Sequence, residues 1–105
     1  MKVPSDEELG ELAAGVGDTL LSGLPQVSET QNVSFEINLL TGEITPEEVV
    51  TESLLNLVKD ASETFFDDLE NTFEIKKKDI KSIVIRIKGR EGGGYNISGK
   101  LDLYR

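Results

Sequence analysis

The arrangement of this chain follows from residues 46–71, which read PEEVVTESLLNLVKDASETFFDDLEN. Apolar residues recur there at three- and four-residue steps, the spacing of one face of an α-helix. They are Val50, Leu54, Leu57, Val58, Ala61, Phe65 and Leu69. The segment opens on Thr45, Pro46 and Glu48, a pattern typical of an N-cap, a first-turn proline and a capping-box glutamate. We therefore predict a long helix that begins at Pro46 and runs to about Asn71.

On the N-terminal side of this helix, residues 33–39 alternate apolar and polar side chains. A period of two is typical of a strand with one buried face. Val33, Phe35, Ile37 and Leu39 are expected to form that buried face. Residues 41–43, Thr-Gly-Glu, then predict a turn that leads into the helix.

On its C-terminal side, two alternating segments flank the glycine-rich residues 89–94. The segments are residues 82–88 and 95–104, which predict an antiparallel hairpin. Ile83, Ile85, Ile87, Tyr95, Ile97, Leu101 and Leu103 are expected on its buried face. Residues 73–75 allow a further short strand before the hairpin, and residues 76–79 a turn.

A second amphipathic segment lies near the N-terminus. Ser5 and Glu8 form a capping-box pattern that predicts a helix start. Leu9, Leu12, Ala13, Val16 and Leu20 form its apolar stripe. Gly10, Gly15 and Gly17 each cost a helix about 1 kcal/mol relative to alanine, so we expect a weak helix with a break near Gly15. Gly23 and Pro25 are expected to end it.

Together these segments predict one domain spanning residues 1–105, since a chain of 105 residues can bury a single core of ordinary size. The predicted class is α+β, in the order α-β-α-(β)-β-β, with residues 73–75 as the optional strand. One mostly antiparallel sheet carries the long helix on one face. Residues 33–105 form this core, residues 1–24 the weak helix and residues 25–32 a connector.

The chain contains no cysteine and no histidine. Disulfides, thiolate metal sites and imidazole bases are therefore excluded, and the remaining carboxylate, lysine and hydroxyl groups form no recognisable acid–base pair. We expect no enzymatic activity and no bound cofactor. The first twelve residues lack the pattern of a signal peptide, and no run approaches the roughly 18 apolar residues of a membrane span. We expect a cytoplasmic protein that does not bind membranes.

Charge divides unevenly along the chain. Residues 1–72 contain 2 basic and 16 acidic side chains, whereas residues 73–105 contain 9 basic and 4 acidic ones, and the whole chain carries −9. The simplest interpretation is that basic strands pack against acidic helices and that the remaining exposed charge keeps the domain soluble. The functional alternative is that one of these surfaces binds a charged partner.

Two candidate sites follow from this division. Arg86, Lys88, Arg90, Lys100 and Tyr104 lie on or beside the exposed face of the predicted hairpin, where they predict a polyanion-binding surface. Asp60, Glu63, Asp67, Asp68 and Glu70 are dense enough to suggest loose binding of a divalent cation. The calcium-loop pattern fails, because a loop starting at Asp67 places Thr72 at its glycine position and Lys78 at its glutamate position. A solvated strand edge and a solvated helix face explain the same residues.

Two classes of function remain. The first is a non-enzymatic protein-interaction module, such as a regulator, inhibitor or assembly factor, that uses its acidic helical surface or a sheet edge to bind another protein. The second is a ligand-binding domain, which contacts nucleic acid or another polyanion through the basic hairpin or a divalent cation through the acidic helix. We expect the first, because the net charge of −9 opposes the approach of a polyanion.

Overall fold

The computed structural model describes residues 4–21, 34–45, 47 and 50–104. Its elements are α1 (Asp6–Leu20), β1 (Ser34–Asn38), β2 (Glu43–Thr45), α2 (Glu52–Phe73), β3 (Ile80–Gly89) and β4 (Tyr95–Leu103), with a 3₁₀ turn at Lys77–Asp79. The predicted α+β class is confirmed, and so is the succession of first helix, first strand, long helix and C-terminal hairpin. The predicted connector at residues 25–32, together with Gly23, lies outside the described residues.

The four strands form one antiparallel sheet in the order β2-β1-β3-β4. Ile85 on β3 lies between Ile37 on β1 and Gly99 on β4. Apolar side chains alternate toward a single face, where they form one core with the buried residues of both helices. The long helix α2 contributes Leu54, Val58, Phe65 and Leu69 to this core, as predicted. The opposite face of the sheet carries the polar residues of each strand.

Helix α1 begins as predicted and continues without the break expected near Gly15. The Ser5 Oγ accepts a hydrogen bond from the Glu8 N–H at 3.2 Å, and the Ser5 hydroxyl donates to Glu8 Oε1 at 3.3 Å. The helix is held by burial, because Leu9, Ala13 and Leu20 are completely enclosed. The tertiary contacts of α1 therefore outweigh its low intrinsic propensity.

Two glycines of α1 allow that close docking. A Cβ added at Gly10 would lie 2.8 Å from the Gly99 carbonyl oxygen, and a Cβ at Gly99 would lie 2.6 Å from the Ala14 nitrogen. A Cβ at Gly17 would collide with Ile97. Glycine at these positions lets the helix backbone rest directly on β4. Gly10 and Gly17, which predicted a weak helix, thus help to position it on the sheet.

The prediction that α2 begins at Pro46 is wrong, because α2 begins at Glu52. Its N-cap is Thr51, whose Oγ1 accepts a hydrogen bond from the Leu54 N–H at 3.1 Å. Thr45, the predicted cap, lies instead in β2 opposite Glu36. Pairing with β1 carries Ile44 into the core. Pro46, Glu48 and Val49 lie outside the described residues.

The optional strand at residues 73–75 does not form. Phe73 is the last residue of α2, and Glu74 adopts the left-handed conformation with φ 58°. The Glu74 N–H donates to the Glu70 carbonyl at 3.0 Å, and the Ile75 N–H to the Leu69 carbonyl at 3.2 Å. Ile75 then enters the core. These bonds cap the helix, so the short strand of the sheet comes from residues 43–45 instead.

The predicted C-terminal hairpin is confirmed, with β3 and β4 paired from Ile80 to Leu103. Its loop closes through a hydrogen bond from the Arg90 N–H to the Gly94 carbonyl at 2.9 Å. Gly92, Gly93 and Gly94 all have positive φ, which explains the glycine run. In the part of the chain that the structure describes, no helix has the length and apolar character needed to cross a membrane.

Candidate functional site

A groove of about 600 Å³ separates α1 from α2. Its apolar lining consists of Leu12 and Val16 from α1 and Leu57, Ala61, Phe65, Leu69 and Phe73 from α2. Leu12 is 38% exposed, and Leu57, Ala61 and Phe73 are only half-buried. We call this feature the α1/α2 groove.

The α1/α2 groove arises from how the helices lie on the sheet. The glycine contacts draw α1 down onto β4, so α1 packs mainly over the hairpin. Helix α1 therefore leaves part of the apolar surface of α2 uncovered, and this part lines the groove. Gly15 lines the groove on the α1 side, and a Cβ added there would meet nothing within 4 Å.

The polar lining of the α1/α2 groove is acidic. Asp60 and Asp68 are its charged residues, and among the described residues that line it none is basic. Hydroxyl groups complete the lining, and two of them already donate to backbone carbonyls: Thr19 to Gly15 at 3.4 Å and Thr64 to Asp60 at 3.2 Å. A ligand in the groove would therefore meet apolar contacts and two carboxylates.

All five predicted cation ligands are exposed. Asp60 and Asp68 line the α1/α2 groove, whereas Glu63, Asp67 and Glu70 do not. Within residues 4–21, 34–45, 47 and 50–104, no three acidic side chains come close enough together to hold a metal ion. Loose cation binding to this helix stays a prediction.

The polar face of the sheet brings together three of the predicted polyanion-binding residues, Arg86, Lys88 and Lys100. We call it the open sheet face. The Arg86 Nε donates to Glu36 Oε1 at 2.7 Å, and the Lys100 Nζ lies 4.0 Å from Asp102 Oδ2. A shallow cavity of about 250 Å³ adjoins Arg86 and Lys88.

The other two predicted residues lie beyond the ends of the strands. Arg90 is exposed in the hairpin loop, and Tyr104, 66% exposed, follows the end of β4. Acidic side chains also line the open sheet face, since Glu36, Glu43 and Asp102 share it with the three basic residues. The basic residues of this face are thus interspersed with acidic ones.

Sequence reasoning missed both the α1/α2 groove and the Glu36–Arg86 pair. The pair joins residues 50 positions apart, and it requires the strand order that places β1 beside β3. The groove had a signal, because Leu57 and Phe73 widen the apolar stripe of α2. That signal does not say which part of the stripe α1 covers.

Comparison of the chain with protein-family models, with curated proteins and with solved structures finds no match. The α1/α2 groove offers apolar area with carboxylates, and the open sheet face offers paired charges.

Proposed function

We propose that this protein is a non-enzymatic protein-interaction module, a small regulator, inhibitor or assembly factor, that docks a partner protein in the α1/α2 groove. The observation that supports this proposal is the partly exposed apolar lining of the groove, including Leu12 and Leu57. Removal of these partly exposed apolar side chains from water would favour association with a partner. A cysteine-free chain is suited to action in the reducing cytoplasm.

The spacing of the charged groups in the groove favours binding over catalysis. Asp60 and Asp68 are eight residues apart on one helix, which corresponds to about 12 Å along its axis. Paired carboxylates that act on one bond lie roughly 5 to 10 Å apart. The two groups are therefore better placed to contact separate side chains of a protein than a single reacting bond.

A matched pair of variants tests the proposal. Leu12 lines the groove and is 38% exposed, whereas Leu55 is 44% exposed and lies outside it. We expect the wild-type protein and Leu55→Gln to capture the same partner from extracts of the source cell, and Leu12→Gln to lose it. Circular dichroism should show equal helix content in all three. Equal capture by the two variants would contradict docking in the groove.

A second candidate function is binding of nucleic acid or another polyanion on the open sheet face. The observation that favours it is the cavity beside Arg86 and Lys88. Titration of labelled RNA and DNA at low and moderate salt tests it, since phosphate contacts weaken as salt rises. Saturable binding that falls with salt and is reduced by Lys88→Gln supports this candidate. Absence of binding at low salt removes it.

A further inference from the structure

The two groove carboxylates lie on the side of α2 that faces α1. At 100° per residue, Asp60 and Asp68 are separated by roughly 80° around α2, and Thr64 lies between them. Glu63, Asp67 and Glu70 do not line the groove, and Glu70, about 160° around α2 from Asp68, points most nearly away from it. The apolar lining of the groove, its floor, therefore lies beside two carboxylates that are about 12 Å apart along the helix axis.

The length of the lining favours an elongated ligand. On α2 the lining runs from Leu57 to Phe73, which corresponds to about 24 Å of helix. A partner helix of roughly 16 residues has the same length. Helices that bind in grooves present apolar side chains at three- and four-residue steps, so they match an extended apolar floor.

We propose that the α1/α2 groove receives one amphipathic helix of a partner protein, whose apolar face covers the floor and whose Lys or Arg side chains, seven or eight residues apart, pair with Asp60 and Asp68. This inference rests on the proposed function and adds the chemistry of the partner. After two turns, a spacing of seven residues returns a side chain to within about 20° of the same face, about 11 Å further along. A spacing of eight residues leaves about 80° and 12 Å, the same offset as between Asp60 and Asp68.

Charge favours such a partner over a second copy of this chain. The whole chain carries −9, and Lys59 is the single basic residue within the bounds of α1 and α2. A helix from a second copy would bring further carboxylates toward Asp60 and Asp68, and like charges in contact oppose association. The basic residues of a second copy lie mainly on its strands and turns, where no amphipathic helix presents them.

Designed peptides test the inference directly. The probe is a peptide of about 18 residues with an apolar helical face, one tryptophan on that face and two lysines seven residues apart beside it. Its matched control carries glutamates in place of the lysines. The protein contains no tryptophan, so the emission reports on the peptide alone. We expect saturable binding of the lysine peptide and at least tenfold weaker binding of the glutamate peptide.

Protein variants then locate the contact. Asp60→Asn and Asp68→Asn are each expected to weaken binding of the lysine peptide about two- to fivefold, as for solvent-exposed ion pairs. Glu70→Gln makes the same change of net charge on the side of α2 opposite Asp68 and should leave the affinity nearly unchanged. Leu12→Gln should weaken binding of the lysine peptide as well. Equal effects of Asp68→Asn and Glu70→Gln would overturn the inference, because they would indicate attraction by the overall charge.

The outcomes separate this inference from the proposed function. If neither peptide binds while partner capture still depends on Leu12, the basic-helix inference fails and docking in the groove stands. If sedimentation shows a dimer that Leu12→Gln dissociates, the occupant is a second copy and the inference fails. If Leu12→Gln and Leu55→Gln behave alike in capture, the proposed function itself fails.

Discussion

At the scale of single residues, the three glycines of α1 have different roles that sequence alone does not separate. Gly10 lies against the backbone of β4, and Gly17 against Ile97, whereas Gly15 borders the open α1/α2 groove. Helix propensity treats all three alike. The difference arises from the partner strand, whose own Gly99 completes the close approach.

Alanine substitutions at Gly10 and Gly15 should therefore have opposite effects. Gly15→Ala is expected to raise the free energy of unfolding by up to about 1 kcal/mol, because helix propensity improves and no atom obstructs the methyl group. Gly10→Ala is expected to lower it by about 1–3 kcal/mol, since the methyl group would force α1 away from Gly99. Urea denaturation monitored by circular dichroism measures both. Stabilisation by Gly10→Ala would show that α1 does not rest on β4 as described.

At the scale of elements, the sequence predicts the periodic segments well and their boundaries less well. The stripe of α2 and the alternation of the hairpin are strong because many residues repeat one pattern. Strand β2 was missed because a segment of three residues is recognised as a strand only through its pairing with β1. The Thr45-Pro46 signal is local, whereas the pairing of Thr45 with Glu36 depends on the tertiary fold.

The position of the helix start can be tested at Thr51. Thr51→Ala removes the side-chain oxygen that accepts from the Leu54 N–H, and it should lower the free energy of unfolding by about 1 kcal/mol. Thr51→Ser keeps a hydroxyl and should change it much less. Urea midpoints at a constant denaturant slope report the difference. Equal losses in the two variants would argue against a cap at Thr51.

At the scale of the whole molecule, the structure shows where the acidic and basic residues of the two parts of the chain lie. The Arg86–Glu36 pair links β3 to β1, so it is not the predicted attraction between a basic strand and an acidic helix. Lys77 meanwhile lies 5.0 Å from the Phe66 ring centre on α2. The candidate site was only partly predictable: the acidic face of α2 follows from the sequence, but the separation of Asp60 and Asp68 from Asp67 depends on where α1 lies.

Excess negative charge should make the stability of the whole molecule depend on salt. Because 16 of the 18 charged side chains in residues 1–72 are acidic, we expect repulsion among them to exceed the weak attraction of the exposed ion pairs. The thermal midpoint should rise as sodium chloride increases from about 10 to 150 mM, where screening lengths fall from roughly 30 to 8 Å. Glu36→Gln should leave this trend in place. A midpoint that falls with salt would show that attractive pairs dominate.

The contact between Gly10 and Gly99 also bears on how the chain folds. These residues are 89 positions apart, so the docking of α1 closes nearly the whole chain into one loop. Contacts between such distant positions slow folding, because chain entropy is lost before burial compensates for it. During synthesis α1 emerges long before β4, and its own propensity is too low to keep it helical alone. The nascent chain therefore completes its core only after β4 has left the ribosome.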